Sequence, residues 1–320
     1  MRPLPAPAAL ALVVLGGVAA AAQSLVNAGL GERAGAPMLG AVVNNLGGSL
    51  LVLVGLLAVP SMRSGLAALR RAGLPWWAYL GGLGGAAIVV IATYVVPVLG
   101  VAVFTIAQVA GGSLSGLAVD RAGLSPAGRL PLTVPRVAGG LLGIVAVSLA
   151  QLGRPVGDLA LGLVLLAVAG GLAVALQSAL NGRVSAAGST AAGLAVNFAV
   201  GTPVILAVAA LVGAFAVRPT WPGQWWFYTG GLLGVGIVLT LLVGVRAAGV
   251  LRTGLALVAG QLGGALLLDV LLPGGAGARW PVLAGAALTG LAVLVAGVRR
   301  RAPSRVATER EPEPDGRLVA

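Results

Sequence analysis

The chain has 320 residues, of which 58% are hydrophobic and 9% charged, and its mean hydropathy is +1.04. A soluble domain carries about 25% charged residues, so this composition indicates an integral membrane protein. The net charge of +12 comes from arginines scattered between apolar segments, which argues against nucleic-acid binding, and the absence of cysteine and histidine excludes disulfides, thiol chemistry and the commonest metal ligands. We expect no cofactor, no metal and no nucleic-acid partner.

The first apolar segment, residues 7–28, has two interpretations. Arg2 precedes it and small residues precede Gln23, as in a secretory signal peptide with its cleavage site. If the segment is instead a retained membrane helix, Gln23, Ser24 and Asn27 are polar groups inside it. A copy of this segment in mid-chain, described below, favours the retained helix.

A helix needs about 20 apolar residues to cross the hydrocarbon core of a membrane. By that measure the sequence predicts ten spans joined by short loops. Their limits are 7–28, 38–59, 76–95, 97–119, 133–152, 158–180, 190–215, 226–245, 249–271 and 281–298. Residues 299–320 are charged, contain prolines and lack aromatics, which predicts a disordered tail.

The spans fall into two copies. "GGVAAAAQSLVNAGL" at Gly16 returns as "GGLAVALQSALNGRV" at Gly170, and "VNNLGGS" at Val43 returns as "VNFAVGT" at Val196. Later matches, in the same order, pair "WWAYLGG" with "WWFYTGG", "VAGGSLSGLAVD" with "VAGQLGGALLLD", and "PRVAGG" with "PVLAGA". We therefore predict two five-helix repeats, residues 1–153 and 154–298, followed by the tail, residues 299–320.

Five is an odd number, so the second repeat enters the membrane in the opposite orientation to the first. The arginines support this. With a cytoplasmic N-terminus, sixteen are inside and four outside, as the positive-inside rule requires; the outside ones are Arg33, Arg154, Arg218 and Arg279. The fold class predicted is thus all-α integral membrane, with ten transmembrane helices as two inverted repeats and both termini cytoplasmic. Inverted repeats are a recurring plan of secondary transporters.

This pattern resembles the drug/metabolite transporter superfamily. The motifs "AQSLVNAGL", "LQSALNGRV" and "VNxxxG[ST]", with "GQLGGALLLD" ending at Asp269, are similar to its YdcZ-like branch of bacterial membrane proteins. In that branch one five-helix unit can be a whole chain, so this sequence resembles a fusion of two. The resemblance covers residues 8–298 and implies a metabolite exporter in the bacterial plasma membrane.

Amide side chains are the first candidates for a substrate path. Gln23 and Asn27 are four residues apart and share a helix face, and Gln177 and Asn181 repeat this spacing. An amide in hydrocarbon is costly without a partner, so these faces point inward. They either line a polar path between the repeats, fix packing by interhelical hydrogen bonds, or cap helix ends. Asn44 and Asn197 lie inside their spans and favour a cavity.

Two further pairs are candidates. The first repeat has Gly112 where the second has Gln261, although Gln108 lies one turn away, so a site that uses these glutamines is not symmetric. Asp120 and Asp269 end long apolar runs in both repeats. A carboxylate there would carry a coupling proton or bind a cation if it were buried, and the alternative is an exposed cap or ion pair.

The favoured function is a secondary transporter that exports a small neutral or zwitterionic metabolite by alternating access. No acid lies in the middle of a predicted span, which disfavours lipophilic cations. A membrane enzyme is disfavoured because the acids are widely separated and histidine is absent. A non-transporting scaffold or lipid-handling protein is the main alternative. We expect a monomer in contact with membrane lipid, with a homodimer through glycine-rich faces as the alternative.

Overall fold

The computed structural model describes residues 4–124, 129, 133–150, 152, 158–271 and 280–297. The described residues form helices joined by short turns. The helices are α1 (Ala6–Arg33), α2 (Pro37–Ala58), α3 (Pro60–Arg71), α4 (Gly81–Leu99), α5 (Val101–Ala122), α6 (Val134–Ala150), α7 (Asp158–Ala187), α8 (Thr190–Leu211), α9 (Gly230–Leu271) and α10 (Trp280–Gly297). Two 3₁₀ helices, Trp76–Leu80 and Trp225–Tyr228, precede α4 and α9. The predicted tail and the predicted boundary at residue 153 lie outside the described residues.

Six described helices have the length and apolarity to cross a membrane. They are Ala6–Arg33, Pro37–Ala58, Trp76–Leu99, Val101–Val119, Leu161–Ala187 and Thr190–Leu211. Four shorter apolar stretches, Val137–Ala146, Gly230–Leu241, Ala256–Leu268 and Trp280–Ala292, coincide with the remaining predicted spans. A multi-pass, all-helical membrane protein is therefore confirmed. In a membrane this architecture satisfies every backbone amide within its own helix.

Local sequence explains several helix ends. Pro37 begins α2, where its missing N–H costs nothing, and the Ser189 Oγ accepts a hydrogen bond from the Ala192 N–H at the start of α8. The third and fourth predicted spans separate at Gly100, which has φ of 80°, and not near residue 96 as predicted. Glycine alone adopts this backbone conformation without strain, so it places the turn.

Helix α3 is an element that the hydropathy did not predict. It follows α2 directly and buries Met62, Gly65 and Leu69, while Arg63, Arg70 and Arg71 are exposed. Its face packs on α8, α7 and α2. Three arginines among its 12 residues keep its mean hydropathy below that of a span, which is typical of a helix that lies at the membrane surface.

Helix α9 contains a reversal of the chain. In its first arm (Gly230–Leu241), Gly230 lies against Asn27 and Thr240 against Gly16, so the arm runs antiparallel to α1. In its second arm (Ala256–Leu268), Gly260 lies against Val14 and Gly264 against Val18, which is the parallel direction.

A straight helix would place Thr240 and Leu257 about 25 Å apart. They instead contact the adjacent residues Gly16 and Gly17 of α1. The chain therefore folds back between residues 241 and 256, and the two arms hold α1 between them. In the other half, the hairpin of α4 and α5 packs on α7.

Each half thus places its first helix on the other half. Gly17 of α1 contacts the backbone of Leu257 and Gln261, and Gly171 of α7 contacts the backbone of Gln108 and Gly112. These contacts match residue for residue, which confirms the alignment of Gly112 with Gln261. The main buried core lies between these hairpins, and Phe104 and Ile106 are at its centre.

Candidate functional site

The first amide cluster comprises Gln23, Asn27 and Asn44. Gln23 Nε2 donates to Asn44 Oδ1 at 3.0 Å and to the Gly230 carbonyl at 2.9 Å. Asn27 and Asn44 are each 5% exposed. The cluster joins α1 and α2 to the first arm of α9, so it is an interhelical hydrogen-bond network that crosses between the two halves.

The second amide cluster comprises the equivalent residues Gln177, Asn181 and Asn197. Asn197 Oδ1 accepts from Gln177 Nε2 at 2.8 Å and from Asn181 Nδ2 at 2.9 Å. Asn181 Oδ1 is buried and has no hydrogen-bond partner among the described residues. The sequence predicted that Gln23 and Asn27, like Gln177 and Asn181, share a helix face, but not that Asn44 and Asn197 join them. Asn197 accepts two side-chain hydrogen bonds where Asn44 accepts one.

Glycines of the opposite half close each cluster. A side chain at Gly230 would meet Asn27 Oδ1 and Asn44 Oδ1, and one at Gly81 would meet Asn181 Oδ1. Because Asn27 and Asn181 lie well inside α1 and α7, they are not helix caps, and that alternative was wrong. The helices extend a further turn or more beyond the predicted span ends.

The two clusters differ in their access to the surface. All three residues of the second cluster are half-buried, and a cavity of about 260 Å³ lies beside Gln177. In the first cluster only Gln23 is half-buried. Two sequence-equivalent sites are therefore in unequal environments, one mostly buried and one half-buried beside a cavity.

Gln108 and Gln261 meet between α5 and the second arm of α9. Gln261 Nε2 lies 3.4 Å from Gln108 Oε1, and Gln261 is 7% exposed. The partners occupy non-equivalent positions, because Gly112 is the equivalent of Gln261 and Leu257 the equivalent of Gln108. The departure from symmetry that the sequence predicted is therefore an amide pair between the halves, formed by Gln108 and Gln261.

Two arginine–aromatic contacts were missed by the sequence analysis. Arg183 of α7 donates to the carbonyls of Leu124 and Gly123 at the end of α5, and its guanidinium lies 5.0 Å from the Trp77 ring centroid. Arg33 at the end of α1 lies 4.4 Å from the Phe227 ring centroid. Arg33 is the last residue of α1, and Arg183 lies in the last turns of α7. The sequence does not show either contact, because the aromatic partner belongs to a different helix in each case.

The remaining candidates are the two aspartates and the serines beside the glutamines. The side chains of Asp120 and Asp269 lie outside the described residues, although both positions are in helices. Among the described residues no group of three or more acids, histidines or cysteines could hold a metal ion. Ser24 and Ser178 donate to carbonyls of their own helices, so they do not join the amide clusters.

Comparison with known families identifies both halves. The family model described as "Putative inner membrane exporter, YdcZ" matches residues 8–149 and 162–299. One segment lies in each half of the chain, and together they cover most of it. No curated protein and no solved structure shows a significant match.

Proposed function

Because this chain belongs to the YdcZ-like branch of the drug/metabolite transporter superfamily, we propose that it is a secondary transporter that exports a small neutral or zwitterionic metabolite by alternating access. The observation that carries the proposal is the pair of equivalent amide clusters in unequal environments. A transporter with inverted repeats reaches its second state when the two halves exchange conformations. The mostly buried first cluster and the half-buried second cluster are what such an exchange would interconvert.

The proposed topology has ten spans in the bacterial plasma membrane. Residues 1–153 and 154–298 form inverted five-helix repeats, residues 299–320 form a cytoplasmic tail, and both termini are cytoplasmic. The reversal within α9 supports the count, because it divides one helical segment into two membrane crossings. The arginine distribution supports the orientation.

The amides would serve as exchangeable hydrogen-bond partners for the solute. An amide both donates and accepts, so it can bind a neutral or zwitterionic group without requiring an opposite charge. The acids before the tail are Glu32, Asp120, Asp158 and Asp269, and each lies at or near a helix end. We therefore expect recognition by amides, with Gln108 and Gln261 adding an asymmetric pair between the halves.

The substrate class and the role of the amides are tested together by flux. We would screen uptake and efflux of labelled metabolites in inverted membrane vesicles, and compare the intact protein with an Asn44→Ala, Asn197→Ala double variant. Ser178→Ala is the matched control, because Ser178 is exposed and bonds only to the Val174 carbonyl of its own helix.

Flux in the intact protein and in Ser178→Ala, with loss in the folded double variant, would support a carrier with an amide-lined path. Flux that survives in the double variant would assign the asparagines to packing. No flux with any solute would overturn the proposal and favour a scaffold or lipid-handling protein.

A further inference from the structure

The cavity beside the second amide cluster has a mainly apolar lining. It lies where the start of α4, the end of α5 and α7 meet, and its volume is about 260 Å³. The residues that line it are Trp77, Leu80, Gly81, Leu83, Gly84, Leu124, Leu176, Gln177 and Leu180. This size suits a small ligand, since sites for drug-sized molecules start at about 300 Å³.

One polar side chain among the lining residues offers a free acceptor. The Gln177 Nε2 donates to Asn197 Oδ1, which orients the amide, and no described residue donates to Gln177 Oε1. A second acceptor, Asn181 Oδ1, has no hydrogen-bond partner among the described residues. It lies next to Gly81, which has no side chain to cover it. Unpaired acceptors beside an apolar cavity favour a ligand that supplies a donor.

Arg183 places a positive charge beside this cavity. Leu176, Leu180 and Arg183 are spaced four and three residues apart, so they share a face of α7. The guanidinium lies over Trp77 and bonds to the Leu124 carbonyl, and both of those residues line the cavity. A fixed positive charge beside the cavity repels cationic ligands.

We infer that this cavity binds an uncharged small molecule with a flat or branched apolar body and one N–H or O–H donor, which it gives to Gln177 Oε1. The apolar body packs on Trp77, Leu176 and Leu180. Leu83 and Leu176 are exposed although they line the cavity, so the cavity is open and a ligand can enter it. The inference rests on the proposed function, in that this ligand class is the class of the transported solute.

The test compares two ligands that differ only in the donor. Indole carries an N–H, and indene has a CH₂ at the same position of an otherwise similar bicycle. Binding of each would be measured by equilibrium dialysis against the purified full chain in phospholipid nanodiscs, with uptake into empty nanodiscs subtracted. We expect the protein to bind indole about fivefold more tightly, the effect of one hydrogen bond.

Three variants locate the preference. Gln177→Leu should bind both ligands equally, with the affinity that indene has for the intact protein. Ser178→Ala, next to Gln177 but exposed and bonded to the Val174 carbonyl of its own helix, should keep the fivefold preference. Leu176→Trp should fill the cavity and weaken the binding of both ligands at least tenfold. Because Leu176 is exposed, this variant should fold, and it tests the site even if Gln177→Leu does not fold.

Equal binding of indole and indene by the intact protein would overturn the inference, as would a preference that survives Gln177→Leu or binding unchanged in Leu176→Trp. Tighter binding of indene than indole would indicate a site for lipid chains. The binding assay measures no flux, so its result is independent of the flux screen described above. Donor-dependent binding in this assay, with no flux in that screen, would refute the transporter and leave the site standing. Transport without donor preference would refute the site alone.

Discussion

Ser49 and Thr202 are equivalent residues of the two repeats, and their hydroxyl oxygens lie 2.8 Å apart. A residue can contact its own equivalent only close to the pseudo-two-fold axis, so the axis passes between α2 and α8 at this point. When two halves exchange conformations, such a contact maps onto itself and is preserved.

We therefore predict that joining Ser49 to Thr202 is compatible with transport. The chain has no cysteine, so Ser49→Cys with Thr202→Cys can be linked by a disulfide, formed with an added oxidant, in the otherwise native protein. Flux should stay within about twofold of the unlinked variant, since a factor of two is less than 0.5 kcal/mol in the barrier.

The comparison is a link between Leu124→Cys and Arg183→Cys, which lie at one end of the repeat pair only. This link, made with a bifunctional maleimide that spans the length of the replaced arginine, should stop flux, because it fixes the observed arrangement beside the cavity and so prevents the exchange. Loss of flux with the axial link alone would contradict an exchange of states about this axis.

The Gln108–Gln261 pair should matter more for flux than for stability. Its 3.4 Å separation is longer than the usual range for hydrogen bonds, so the coupling energy should be about 0.6 kcal/mol or less. A double-mutant cycle of Gln108→Leu and Gln261→Leu in detergent unfolding measures it.

We expect Gln261→Leu to reduce flux about tenfold or more, equivalent to about 1.4 kcal/mol in the barrier. If instead the coupling exceeds about 2 kcal/mol and flux falls only with stability, the pair is a structural lock between the halves.

Close approach at Gly230 predicts a selective effect of one methyl group. Gly230→Ala would drive the new Cβ into Asn27 Oδ1 and Asn44 Oδ1, which should destabilise the protein by about 1–3 kcal/mol, as overpacking does. Gly236→Ala, six residues further along the same arm, would meet no atom within 4 Å and should be neutral or slightly stabilising.

Melting temperature in detergent compares the two variants directly. Equal melting temperatures would show that the cluster has room to spare at Gly230, and would remove the evidence that α9 is packed tightly on it.

The inverted orientation predicts that equivalent loops lie on opposite membrane sides. Ser64 is exposed on α3 after the second helix, and Gly223 is exposed in the segment after α8. An impermeant maleimide added to intact cells should label Gly223→Cys and should reach Ser64→Cys only after permeabilisation. Labelling of both from one side would contradict the inverted topology, and the reverse pattern would place the termini outside.

The sequence was most informative where the two repeats could be compared. The matches of Gln23 with Gln177 and of Asn44 with Asn197 predicted which positions are equivalent, and the structure places these residues in two equivalent clusters. The contact between Gln108 and Gln261 was not predictable, since it joins positions that do not match. Helix α3 was not predicted, because a hydropathy window detects helices that are long and apolar enough to cross the membrane, and α3 is short and carries three arginines.

The cavity at Gln177 could not be predicted either. Its lining comes from three helices, and Leu124, Leu176 and Trp77 have no common pattern along the chain. A helical period places Leu176 and Leu180 on one face, but the partner of that face depends on how α7 sits in the other half.

Each first helix packs on the opposite half, and this has a consequence for biosynthesis. α1 leaves the ribosome long before the two arms of α9 that will enclose it. Since translation adds about 5–20 residues per second, the roughly 200 residues between them take about 10–40 s to make. During that interval the Gln23 amide lacks the Gly230 carbonyl, and Gly17 has no backbone to pack on. The packing of α1 is therefore completed only after most of the second half has been made, and until then the first half exposes a polar amide and a glycine face that the finished protein buries.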